Sequence, residues 1–184
     1  MTNVIEDDIE AVVVLMRTLR NLPEFSTLNA LLPAGAPFYM FGHIQEINSR
    51  LVQRTQDPVK RNEKFPLVAL RLDNPADVED GMLRYNLNIA IIAASSESRN
   101  AQERLALTFK PLLNPLYNLF FLALRRSGRF SWETGLDSYP PHTRVDRYYW
   151  GVMSGNTKIK NVLSDPSDAI ELIGLRINSR IKTC

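Results

Sequence analysis

Side chains able to do acid–base, nucleophilic or metal chemistry are few in this chain and far apart. Its two histidines, His43 and His142, lie in the first and last thirds of the sequence. His43 stands where a helix should begin, and His142 follows Pro140-Pro141 in a loop. A metal site needs convergent ligands at set spacings, and no HxxxH, HExxH or CxxC pattern occurs. The one cysteine, Cys184, ends the sequence and has no framework to hold it as a nucleophile. The eight glycines are scattered singly, without a phosphate-binding or dinucleotide pattern, and no GxSxG elbow is present. Asp73, Asp77, Glu79 and Asp80 could hold a divalent cation, but they lack calcium-loop spacing. Turn chemistry explains their Asp, Asn, Pro and Gly neighbourhood more simply. The expectation is a protein without catalytic residues, metal or cofactor.

Two other groups of side chains suit contact rather than catalysis. Arg176, Arg180 and Lys182 alternate with apolar residues near the end, and Lys60 and Arg61 form a small basic cluster. The alternating set could face DNA, or could simply blunt a sheet edge with charge. Aromatic residues, including Tyr148, Tyr149 and Trp150, are interleaved through residues 128–168. Such residues stack on bases or fill protein–protein contacts. The formal charge of +2 is too balanced for a dedicated nucleic-acid binder.

The elements that must carry these groups follow from periodicity. With 184 residues, 45% of them hydrophobic, the chain suits a single domain, 1–184. Ile5, Ile9, Val12, Val13, Met16 and Leu19 recur at helical spacing, predicting a helix over 4–20 that stops at Pro23. A Pro-rich loop with one helical turn at 27–32 follows, then a strand at Phe38-Tyr-Met-Phe and a helix over 43–54. Residues 65–72 read as a strand covered on both faces. They should form an antiparallel hairpin with 82–94, across a long acidic turn. Apolar odd positions make 82–94 the clearest strand: Leu83, Tyr85, Leu87, Ile89, Ile91 and Ala93 share one face, and the other face turns apolar at Ala90 and Ile92. A long helix over 99–126 carries Ala101, Leu105, Phe109, Leu112, Leu116, Leu119, Phe120 and Ala123 as its stripe. Pro111 and Pro115 should kink or break it near 107–111. Residues 128–168 read as an irregular, aromatic-rich insertion. A final strand over 169–182 should bury Ile173, Leu175, Ile177 and Ile181. The class is α+β, with an antiparallel or mixed sheet. No apolar run approaches the ~20 residues of a membrane span, and the acidic N-terminus is unlike a signal peptide. A soluble protein made in a reducing cytoplasm is expected.

Four segments together resemble a known family. They are Phe38-Tyr-Met-Phe-Gly-His-Ile-Gln-Glu-Ile-Asn, Lys64-Phe-Pro-Leu-Val-Ala-Leu, Thr108-Phe-Lys-Pro-Leu-Leu-Asn-Pro-Leu-Tyr and Asp168-Ala-Ile-Glu-Leu-Ile-Gly-Leu-Arg-Ile. In this order they look like small virion proteins of tailed bacteriophages, of the tail-terminator, tail-completion or neck-ring (head–tail connector) type, closest to those of crAss-like phages. The resemblance implies a non-enzymatic building block of the virion. Copies of it, six or twelve, would form a ring at the head–tail junction or tail end, against portal, neck or tail proteins, with DNA passing through the lumen. It makes Arg176, Arg180, Lys182, Lys60, Arg61, Tyr148, Tyr149 and Trp150 candidate lumen or interface residues. The competing expectations are a nucleic-acid-binding module using the basic strand face and, third, an enzyme.

Overall fold

The computed structural model describes residues 5–71, 76–79, 82–131, 142–146, 148 and 166–180; at 76–79, 82–84, 131 and 178–180 it describes the backbone alone. The fold is α+β, as the element order implies. Helix α1 (Ile5–Leu19) buries Ile5, Ile9, Val12, Val13, Met16 and Leu19. A 3-10 turn (Pro23–Phe25) and α2 (Ser26–Leu31) follow. Strand β1 (Phe38–Gly42) leads through α3 (Ile44–Gln56) to β2 (Leu67–Arg71). These two strands pair in parallel, so the sheet is mixed. All of Leu67–Leu70 is buried, as a strand covered on both faces requires.

The frame of the sheet is a ribbon of two long antiparallel strands, β4 (Met82–Ala94) and β7 (Ser167–Arg180). On one side of the ribbon lies β2, paired with β4 at Asn88–Ile92. Further along that side lies β3 (Ala76–Glu79), paired with Met82–Tyr85. On the other side, β5 (Phe130–Ser131) and β6 (Thr143–Val145) pair with separate parts of β7. The expected pairing of 65–72 with 82–94 is therefore present. The acidic segment between them is not only a turn, because Ala76–Glu79 is itself a strand. Two residues, Asp80-Gly81, separate it from β4, and Asp-Gly is a strong two-residue hairpin signal. The 128–168 region likewise contains β5 and β6.

Registered partners share a face of the sheet, so odd residues of β4 line one face. Over it lie α1 and the long helix, which pack on each other. The long helix runs as α4 (Ala101–Arg104), a π-helical stretch (Leu105–Leu113) and α5 (Asn114–Ser127). The expected break at Pro111 is thus replaced by a change of helix type. In an α-helix the Pro111 ring would press on the Leu107 carbonyl. Wider π turns bond five residues back, as Asn114 N–H does to Phe109 O, and relieve that crowding. The extra residue per turn also rotates the stripe. Arg104, Thr108, Phe109, Leu113 and Leu116 are buried, while Ala101 and Leu105, expected inside, are exposed. Gly128 ends the helix at φ +62°, the left-handed conformation that glycine adopts without a Cβ clash.

The last strand departs from simple alternation. Leu87 pairs with Leu175 and Ile89 with Leu172, so two residues of β7, Ile173 and Gly174, oppose Asn88 alone. This is a bulge. Gly174 takes φ +69°, and its N–H donates to Asn88 Oδ1 at 3.1 Å. The slip turns Ile173 outward, where it is 66% exposed, while Leu175 and Ile177 remain buried. Ile181 lies outside the described residues.

Candidate functional site

Buried charge marks joints between elements. Arg104 and Asp168, both fully buried, form an ion pair between the long helix and β7. The same guanidinium donates to Arg99 O at 3.0 Å, Ser95 Oγ at 3.1 Å and Ser96 O at 2.6 Å. Ser95 Oγ in turn donates to Asp168 Oδ2 at 2.6 Å. The polar connection 95–100 is thereby tied to β7, and Ser95 N–H adds a bond to Pro166 O at 2.8 Å. At the opposite end, Arg129 pairs with Asp8 and joins the end of α5 to the start of α1. Both histidines have local work. His43 caps α3, with Nδ1 accepting from Gln45 N–H while its own N–H donates to Glu46. The His142 ring lies 4.3 Å from the Tyr117 ring.

The candidate contact residues fall in two separate places. Arg176 is exposed on the ribbon, opposite Asn86 in the register. Arg180 lies opposite Met82 at the ribbon's end. Lys182, Tyr149 and Trp150 are outside the described residues. Tyr148 is not a surface residue: it is buried beside β7, with its N–H on Ser167 O at 2.7 Å. Burial first, then the charge of Glu171, pushes its hydroxyl pKa up, with Arg71 opposing. It packs in the hydrophobic core. Lys60 and Arg61 are exposed in the turn after α3. That turn is built on Asp57, whose carboxylate accepts from Val59 N–H and Lys60 N–H. The sheet order β1-β2-β4-β7-β5 puts β2 and β4 between β1, which α3 packs against, and the strand of Arg176.

Sequence reading did not single out the residues that surround Lys60. Tyr39, Met40, Arg50, Gln53, Arg54, Asp57, Lys60 and Glu63 line a groove of about 460 Å³ beside β1. Only the helical spacing of α3 hints that Arg50, Gln53 and Arg54 share a side. Phe38 N–H bonds Pro66 O at 2.9 Å, so alternate residues of β1 turn their main chain to β2. The main-chain groups of Tyr39 and Phe41 then lie on the outer edge, which no strand covers among the described residues. Arg50 donates to Phe41 O at 3.3 Å, its guanidinium 5.9 Å from the Phe41 ring centre. The Tyr39 hydroxyl donates to Glu6 O at 2.9 Å and holds α1 over this edge. Its pKa is pushed up by burial, then by Glu6, Glu10 and Asp7.

No family model, no curated protein and no solved structure matches this chain. Among the described residues, no helix is long and apolar enough to cross a membrane.

Proposed function

We propose that this chain is a non-enzymatic structural protein of a tailed-phage virion. Its copies form a closed ring at the head–tail junction or tail end, through which DNA passes. The resemblance of the ordered sequence segments suggests this, and one structural observation supports it most. The β4–β7 ribbon continues past the β1–β2 part of the sheet, because Met82–Leu87 lies beyond the residues of β4 paired with β2. At ~3.4 Å per residue that is an extension of about 20 Å. One of its faces buries Tyr85 and Leu87, while Asn86 and Arg176 are exposed. A long two-stranded ribbon with exposed polar residues on one face suits contact with other chains.

A ring requires two different, complementary surfaces on each copy, placed so that the rotation closes. The open edge of β1 and the far end of the ribbon are two such unlike surfaces. A lumen suits modest, sequence-blind cationic contact such as Arg176 offers, since tight phosphate binding would hold DNA in place. The experiment is size measurement by light scattering, alone and with the portal and neighbouring neck proteins. A multi-subunit particle of one defined mass supports the reading. A monomer under all of these conditions rejects it.

A further inference from the structure

We infer that the buried Arg104–Asp168 pair is a register lock: it selects the π-helical run of the long helix over an α-helical alternative written in the same sequence. π-Helix is rare beyond a single turn, yet Leu105–Leu113 is π-helical throughout. Pro111 alone does not demand this. It forbids an unbroken α-helix, but a break before Pro111 relieves the same crowding, with the ring then in the first turn of a second helix. What decides between these two outcomes acts elsewhere in the helix.

The two registers bury different side chains. An α register carries Ala101, Leu105, Phe109, Leu112 and Leu116 on one stripe. The observed register keeps Phe109 and Leu116 inside and exchanges the rest. Arg104 is 2% and Thr108 1% exposed, whereas Leu105 is 36% exposed, Ala101 is exposed and Leu112 is half-buried. Apolar burial and hydrogen-bond geometry both favour the α register. The observed one gains polar contacts that require residues 104 and 108 to point inward. Arg104 reaches Asp168, Ser95 Oγ, Ser96 O and Arg99 O. Thr108 Oγ1 accepts from the Arg99 guanidinium at 3.2 Å. Turning Arg104 outward would leave the Asp168 carboxylate, 0% exposed, without its guanidinium, a larger penalty than burying one more leucine repays. Fixing register at the expense of apolar burial is the best-attested use of a buried polar contact.

Thiol labelling reads the register directly, because Cys184 is the only cysteine and Cys184→Ser leaves a blank background. With the pair intact, Leu105→Cys should react readily with a maleimide. Adding Arg104→Met and Asp168→Asn removes both charges and should slow that reaction at least about tenfold, as position 105 turns inward. In a third protein, Arg104→Cys with Asp168→Asn, the thiol at position 104 should react readily, as that position turns outward. Circular dichroism establishes that each protein is folded, and Asp168→Leu replaces Asp168→Asn if one is not. If the thiol at 105 keeps its reactivity without the pair, or the thiol at 104 stays protected, the π register does not depend on Arg104–Asp168 and the inference is overturned.

Discussion

The Arg104–Asp168 joint makes the sharpest demand on the fold. Replacing Arg104 with Met keeps most of the side-chain volume but removes four hydrogen bonds, to Asp168, Ser95 Oγ, Arg99 O and Ser96 O. It also leaves the Asp168 carboxylate, 0% exposed, without its guanidinium. Removing one partner of a buried pair costs about 3–5 kcal/mol, far more than the pair gains over an apolar replacement. At about 2–4 °C per kcal/mol for a domain of this size, the midpoint of thermal unfolding should fall by roughly 6–20 °C. The double change Arg104→Met with Asp168→Leu should recover much of the loss, because no buried charge then remains. Urea unfolding followed by circular dichroism measures both. If Arg104→Met lies within about 1 kcal/mol of wild type, the pair behaves as a solvated surface bridge, and the placement of the long helix on β7 is wrong.

Other consequences follow from the backbone and the tyrosines. Gly174→Ala should destabilise by about 1–2 kcal/mol in urea unfolding, because φ is +69° and the added Cβ would sit 3.2 Å from Asn86 Oδ1. Gly128→Ala, at φ +62° with open space around it, should cost less; the reverse order would contradict the bulge. The hydroxyls of Tyr39 and Tyr148 are held above their ordinary pKa of 10.0, chiefly by burial. The folded state then keeps a proton that the unfolded state releases. Their contribution is complete below about pH 10 and is lost as pH rises beyond it. Tyr39→Phe with Tyr148→Phe should flatten the alkaline limb of the stability profile; an unchanged limb would place the loss elsewhere.

Much of this architecture is legible in the sequence because it is local. Helix α1, strand β4 and the position of Pro23 follow from spacing alone, and Gly128 ends the long helix where glycine should. What escapes is set by longer-range matching. Pro111 signals trouble in a helix but not its resolution, and the π turns that resolve it shift the buried stripe from Leu105 to Arg104. Gly174 looks like any glycine until its partner Asn88 shows that two residues face one. The Asp80-Gly81 pair could have revealed β3, but the acidic run around it reads equally well as a turn. For the candidate surfaces the division is similar. The basic character of Lys60 and Arg61 is evident from the chain, whereas the groove they border needs Tyr39 and Met40 brought against α3. That β1, rather than β2, is an edge strand of the sheet is a fact of topology that no local pattern carries. The burial of Tyr148 is equally hidden, because aromatic residues in an irregular stretch give no sign of which one turns inward.

Electron microscopy of the purified protein, alone and mixed with portal and neck proteins of the phage proposed to encode it, tests the proposed assembly most directly. Class averages should show closed rings of identical subunits around a channel wide enough for duplex DNA. Single, dispersed subunits in every mixture would contradict the account.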